Sequence, residues 1–168
     1  MRRVLSVILK GAVCIALTAP ALAFSQDSIE ELSRACDSGG GGQGDAVSCS
    51  LLGHAYRRGE GVRRDLHKAN ELFLKACNMG YARGCNDVGI SYELSRGYRQ
   101  DYNKANAFYW KACDLGYAVS CNNLGFSYER GLGTLQDDRK AYELYKKSCD
   151  LGYAGGCLQA DRIKPTLR

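Results

Sequence analysis

Leu52-Gly53-His54-Ala55-Tyr56-Arg57-Arg58-Gly59-Glu60-Gly61-Val62-Arg63-Arg64-Asp65-Leu66-His67-Lys68-Ala69 is the stretch that decides the fold. Its pattern returns 36 residues later and again after another 36, so that residues 46–81, 82–117 and 118–153 align as three gapless copies. Gly53/Gly89/Gly125, Tyr56/Tyr92/Tyr128, Asp65/Asp101/Asp137, Lys68/Lys104/Lys140 and Ala69/Ala105/Ala141 are identical in all three. A period between roughly 20 and 50 residues marks a solenoid, in which each unit buries its apolar face only against its neighbours. The cysteines keep the same interval. Cys49, Cys85, Cys121 and Cys157 are 36 apart, as are Cys77, Cys113 and Cys149, and eight positions separate Cys77 from Cys85, Cys113 from Cys121 and Cys149 from Cys157.

Within one copy the residues read as a helical hairpin. Cys49, Leu52, Ala55 and Tyr56 share one face of a first helix, A, expected over 46–58. Gly59 and Gly61 supply the positive φ of a tight reversal; Ser95, which replaces the first of them in the second copy, predicts a strained or differently shaped loop there. Asp65 is placed to cap a second helix, B, expected over 66–79, by accepting from free backbone N–H groups at the positive end of the helix dipole. Ala69, Leu72, Phe73, Ala76 and Cys77 fall at i, i+3, i+4, i+7 and i+8, a full amphipathic stripe. Gly80 follows as a left-handed stop.

The ends read as half units. Ile29–Cys36 matches helix B, and Cys157–Ala160 opens a last helix A ahead of a polar tail, Asp161–Arg168. Five extra residues, Gly40–Gly44, read as a flexible glycine-rich loop between Cys36 and Cys49. The segment 1–23, with Arg2, Arg3, an apolar run and Ala21-Leu22-Ala23, reads as a signal peptide removed before Phe24. The domain organisation is therefore a signal peptide 1–23, a half repeat with its glycine-rich loop 24–45, repeats 46–81, 82–117 and 118–153, and a half repeat with tail 154–168.

Export explains the cysteines, since thiols pair in oxidising compartments. Cys14 leaves with the signal peptide, and the remaining eight pair within the repeat as Cys36–Cys49, Cys77–Cys85, Cys113–Cys121 and Cys149–Cys157. Zinc binding calls for closer cysteine spacing and for more histidine than His54 and His67. Redox catalysis calls for Cys-x-x-Cys, which is missing. The mature chain carries 20 basic and 18 acidic residues, a balance with no footprint for nucleic acid. The apolar run is too short for a membrane span of about 20 residues. The reading is a monomer that needs no metal and no cofactor.

The motif at 52–69 resembles the Sel-type repeat, a relative of the tetratricopeptide repeat. Together with the Cys-x7-Cys pair it is similar to the Helicobacter cysteine-rich proteins. The resemblance covers residues 28–160 and implies an all-α protein, a right-handed α/α superhelical solenoid of disulfide-locked helix-turn-helix repeats, secreted or periplasmic. Members of that group are described as weak penicillin binders or β-lactamases, and others as secreted factors that engage proteins.

Function then divides in two. A solenoid presents a concave face lined by helix A. Its varying positions include Ser50/Asn86/Asn122, Leu51/Asp87/Asn123, His54/Ile90/Phe126 and Arg57/Glu93/Glu129. Ser50, His54, Asn86, Asn122 and Asn123 are the candidate groove residues for a peptide or protein partner, with Asn86 and Asn122 expected to face solvent and hold a peptide backbone. The alternative is β-lactam hydrolysis, which the resemblance alone suggests. Serine β-lactamases use Ser-x-x-Lys, Ser-Asp-Asn and Lys-Thr-Gly, and none occurs here. No residue is assigned a catalytic role. Trp110, the lone tryptophan, is expected to be a packing residue of helix B.

Overall fold

A computed structural model describes residues 25–38 and 43–164. The expected signal peptide, residues 39–42 of the glycine-rich segment and residues 165–168 lie outside the described residues. Eight helices follow one another among the described residues: α1 Gln26–Asp37, α2 Gln43–Arg58, α3 Leu66–Asn78, α4 Ala82–Glu93, α5 Tyr102–Asp114, α6 Ala118–Arg130, α7 Asp138–Asp150 and α8 Ala154–Ile163. They form the expected all-α solenoid. Helix A of each repeat is α2, α4, α6 or α8, and helix B is α1, α3, α5 or α7. Each helix packs on its chain neighbours, α2 also packs on α4, and α6 on α8. The A row is thus the inner one.

Local chemistry sets the boundaries. Asp65, Asp101 and Asp137 sit in extended backbone, and their side chains accept from the N–H of Lys68, Lys104 and Lys140. Ser95 carries a φ of 53°, where its counterparts Gly59 and Gly131 carry 77° and 66°. A serine in that left-handed region is strained, as the glycine-to-serine replacement predicted. Two boundaries differ from expectation. Helix α2 begins three residues before Ala46, so Gly44 is helical, not loop. The polar tail is also shorter, because α8 continues to Ile163, which is only 3% exposed. An isoleucine at that register extends the apolar stripe of α8 onto Ala141 and Tyr145.

The hairpin is closed by an aromatic ring set against a glycine. Phe73, Tyr109 and Tyr145 are 0–1% exposed, and each buried ring contributes roughly 1.5–3 kcal/mol. Each lies over the invariant glycine of the preceding helix A. A Cβ on Gly53 would stand 2.6 Å from Phe73 Cε1, one on Gly89 2.6 Å from Tyr109 Cε1, and one on Gly125 3.0 Å from Tyr145 Cδ1. Glycine is thus required for close approach of two helices, not for a turn.

Disulfides join Cys36 to Cys49, Cys77 to Cys85, Cys113 to Cys121 and Cys149 to Cys157. Each ties the end of a helix B to the start of the next helix A. In an entropic account, closing loops of this length stabilises by roughly 2–3 kcal/mol apiece. The first six of these cysteines are at most 2% exposed, whereas Cys149 and Cys157 are only partly buried.

Candidate functional site

The polar side chains of the inner row are mostly engaged in holding repeat to repeat. Between α2 and α4, Asp87 accepts from Arg57 Nη1 at 3.1 Å, and its second oxygen lies 3.1 Å from His54 Nε2. The Asp87 side chain is 5% exposed and that of Arg57 18%. Arg57 Nη2 stands 2.8 Å from His54 Nδ1. Arginine only donates, so Nδ1 is the acceptor, while Nε2 and Asp87 Oδ2 lie buried side by side with no hydrogen bond formed between them. The Arg57 guanidinium also covers the Phe73 ring at 5.3 Å.

Between α4 and α6, Ser120 Oγ donates to Asn86 Oδ1 at 2.8 Å, and Asn123 Nδ2 approaches the same oxygen at 3.4 Å. Between α6 and α8, Arg162 donates to Glu129 at 2.6 Å. Glu129 also accepts from the Tyr145 hydroxyl at 2.8 Å, and Glu93 accepts from Tyr109 in the same way one repeat earlier. Burial pushes both phenols well above the ordinary tyrosine range, and the facing carboxylates push them further. For Glu129 burial acts upward, but the hydrogen bonds from Arg162 and Tyr145 outweigh it and hold the carboxyl below its ordinary value.

This geometry corrects the expected groove. Ser50 is 2% exposed, His54 8% and Asn86 4%. Asn86 does not face solvent: its amide oxygen is taken by the next repeat. Asn122 and Asn123 are half-buried, and Asn122 Oδ1 is buried without a hydrogen-bond partner. The reason lies in the following repeat, where Ser120 covers Asn86 but Gly156, with no hydroxyl, occupies the position 36 residues on. The five residues lie along one row but do not converge as a peptide clamp. Exposed on the same row are Leu51, Phe126 and Leu158, at 39%, 42% and 71%, with Arg130 over the Phe126 ring at 5.6 Å.

Other residues with roles escaped the sequence reading. Asn70 Nδ2 donates to Arg96 O of the next repeat's loop at 2.7 Å, and Asn106 Nδ2 to Leu132 O at 2.6 Å. Both asparagines hold the following loop, and the third copy has Tyr142 there. The pairing of inner and outer positions was also written in the repeats: Arg57 accompanies Phe73, whereas Glu93 and Glu129 accompany Tyr109 and Tyr145. Trp110 is corrected too. It is 61% exposed, because its place on α5 lies outside the hairpin interface.

Among the described residues no group of three His, Cys, Asp or Glu side chains could hold a metal ion, and no helix is long and apolar enough to cross a membrane. The fold and the stitched inner row define a disulfide-locked helical-repeat scaffold. The Sel1 repeat model matches residues 46–81, 82–117 and 118–153, and the chain belongs to that family. No curated protein matches it. Among solved structures it is similar to c5321, a protective antigen of uropathogenic Escherichia coli strains displaying an SLR fold, with 26% identity and a TM-score of 0.74 over 82% of this chain and 28% of that one. It also shares its fold with a Sel1 repeat protein from Oxalobacter formigenes, at 24% identity and a TM-score of 0.68 over 78% of this chain and 50% of that one. The Helicobacter pylori cysteine rich protein B matches at 25% identity and a TM-score of 0.61, over 79% of this chain and 91% of that one. The chain thus spans about a quarter and a half of the first two proteins' lengths.

Proposed function

We propose that this chain is an exported, monomeric scaffold that holds a peptide or protein segment along its inner helix row and performs no catalysis of its own. Its membership of a scaffold family supports the coarse reading. Four disulfides support export, because such bonds persist where thiols are not kept reduced. The observation that carries the inner-face reading is Phe126. A phenylalanine 42% exposed, on a row where Leu51 and Leu158 are exposed as well, is available to a partner. Aromatic side chains of this kind dominate interface energetics. The bridges and side-chain links fix the row beforehand, so binding costs little ordering entropy.

The test is a peptide-display selection against the oxidised mature protein, repeated with Phe126→Ser and with Glu71→Ser as an outer-face control. Selected peptides are expected to lose at least about tenfold in affinity with Phe126→Ser, roughly 1.4 kcal/mol, while Glu71→Ser and the melting temperature stay unchanged. Peptides that bind Phe126→Ser as tightly as the parent would refute the inner-face site.

A further inference from the structure

The outer face carries a second feature that the inner-row reading does not use. Between α5 and α7 lies a groove of about 340 Å³, floored by Leu124 and Tyr128 of α6 and walled by Trp110 and Leu144. Its size is at the low end of ligand sites, roughly 300–1,000 Å³, suited to one or two side chains.

The chain itself shows what fits such a groove. One repeat earlier the equivalent floor is Val88 and Tyr92, and the equivalent walls are Leu74 and Phe108. There Tyr98 stacks on Tyr92 with ring centroids 4.2 Å apart, and Phe108 stacks on Tyr92 at 6.0 Å. All of them pack with Val88 in one cluster. Thirty-six residues on, Tyr98 becomes Thr134 and Phe108 becomes Leu144. Two rings are removed, no ring pair with Tyr128 is found among the described residues, and Trp110 stands 61% exposed where Leu74 is half-buried. The charges at the rim favour one sign of partner. Lys140 Nζ lies over the Tyr128 ring at 5.4 Å and pairs loosely, at 3.9 Å, with Asp137. Lys147, two turns further along α7, borders the groove on the same side, and Glu143 is the one acid among the lining residues.

We propose that this groove docks a protein segment presenting an aromatic side chain flanked by acidic residues, the ring stacking on Tyr128 beside Trp110 as Tyr98 stacks on Tyr92. An aromatic pair of this kind adds roughly 0.5–1.5 kcal/mol beyond its area burial, and the two lysines supply the charge complement. This surface is separate from the inner row and stands or falls independently of it.

Trp110 is the only tryptophan of the chain, so its fluorescence reports the groove directly. The probe is the capped pentapeptide Asp-Glu-Phe-Asp-Glu, titrated into the oxidised mature protein with excitation selective for tryptophan. A saturable change in emission is expected. Affinity should fall at least about fivefold when the phenylalanine is replaced by leucine, or when the acids are replaced by lysines. The variant Thr134→Tyr with Leu144→Phe rebuilds the self-filled groove of the preceding repeat; it should keep or raise the melting temperature and abolish the response. Phe126→Ser should leave the titration unchanged. The absence of a saturable response up to millimolar peptide would overturn the proposal, and so would equal binding by the leucine peptide or by the filled variant.

Discussion

Replacing Gly89 by alanine sets two opposing effects against each other. In an open helix the change stabilises by roughly 1 kcal/mol, because glycine is the poorer helix former. Here the new Cβ would stand 2.6 Å from Cε1 and 2.7 Å from Cδ1 of Tyr109, against an ordinary carbon contact of roughly 3.5–4.0 Å. The ring would have to retreat by about 1 Å, yet it is 1% exposed and its hydroxyl is held by Glu93. Overpacking of this kind costs roughly 1–3 kcal/mol, and the tethered ring puts Gly89→Ala at the upper end. The net expectation is destabilisation by about 1–2 kcal/mol. Gly53→Ala meets Phe73 at the same 2.6 Å, but Gly125→Ala meets Tyr145 at 3.0 Å, so the series should run Gly89 and Gly53 well above Gly125. Urea unfolding of the oxidised protein, followed by far-ultraviolet circular dichroism, measures all three. If Gly89→Ala stabilises the protein, or if Gly125→Ala is the worst of the three, helix propensity and not ring clearance governs the position.

Reduction should strike the bridges in order of exposure and in sum unfold the chain. Limiting reductant followed by alkylation should label Cys149 and Cys157 first, and full reduction, at roughly 2–3 kcal/mol per bridge, should cost most of a typical stability of 5–15 kcal/mol; early labelling of Cys77 and Cys85 would contradict this. Asp87→Ala strands the Arg57 guanidinium between α2 and α4 and should cost roughly 3–5 kcal/mol in urea unfolding, whereas a cost below about 1 kcal/mol would mean that solvent screens the pair. Tyr109 and Tyr145 keep their protons in the folded chain at pH values where the unfolded chain releases them, above about 10. Their contribution is therefore complete below that pH and is lost as pH rises, by about 1.4 kcal/mol per pH unit for each phenol. The urea midpoint should fall steeply across that alkaline range in the parent and less steeply in Tyr109→Phe, and equal slopes would refute the assignment.

The hairpin, its caps and its staples were legible because their causes are local. Asp65 caps α3 through a backbone N–H three residues away, Gly80 ends the helix turn by its own φ of 82°, and Cys77 reaches Cys85 across one short turn. The repeat itself announced that such units stack. The start of α2 was missed because Gly44 was read from glycine composition, whereas helix α2 extends through it.

The fate of the polar inner row is a different kind of fact. Ser50, Asn86, Asn122 and Leu158 share one register, yet they range from 2% and 4% exposed, through half-buried, to 71%. What meets Asn86 is the first turn of the next helix A, 34 residues on, where Ser120 bonds to it; at the same place for Asn122 stands Gly156, which has no hydroxyl to offer. Likewise Trp110 stands 61% exposed where Leu74, at the same register, is half-buried in a cluster with Tyr98 and Phe108, residues that become Thr134 and Leu144 one repeat on. The sequence by itself determined the period, the helices, the caps and the disulfide pairing, since these depend on residues within one turn or one loop of each other. Only the tertiary structure decided which helix faces remain free for a partner, because burial at one repeat is set by the volume and hydrogen-bonding capacity of side chains in another.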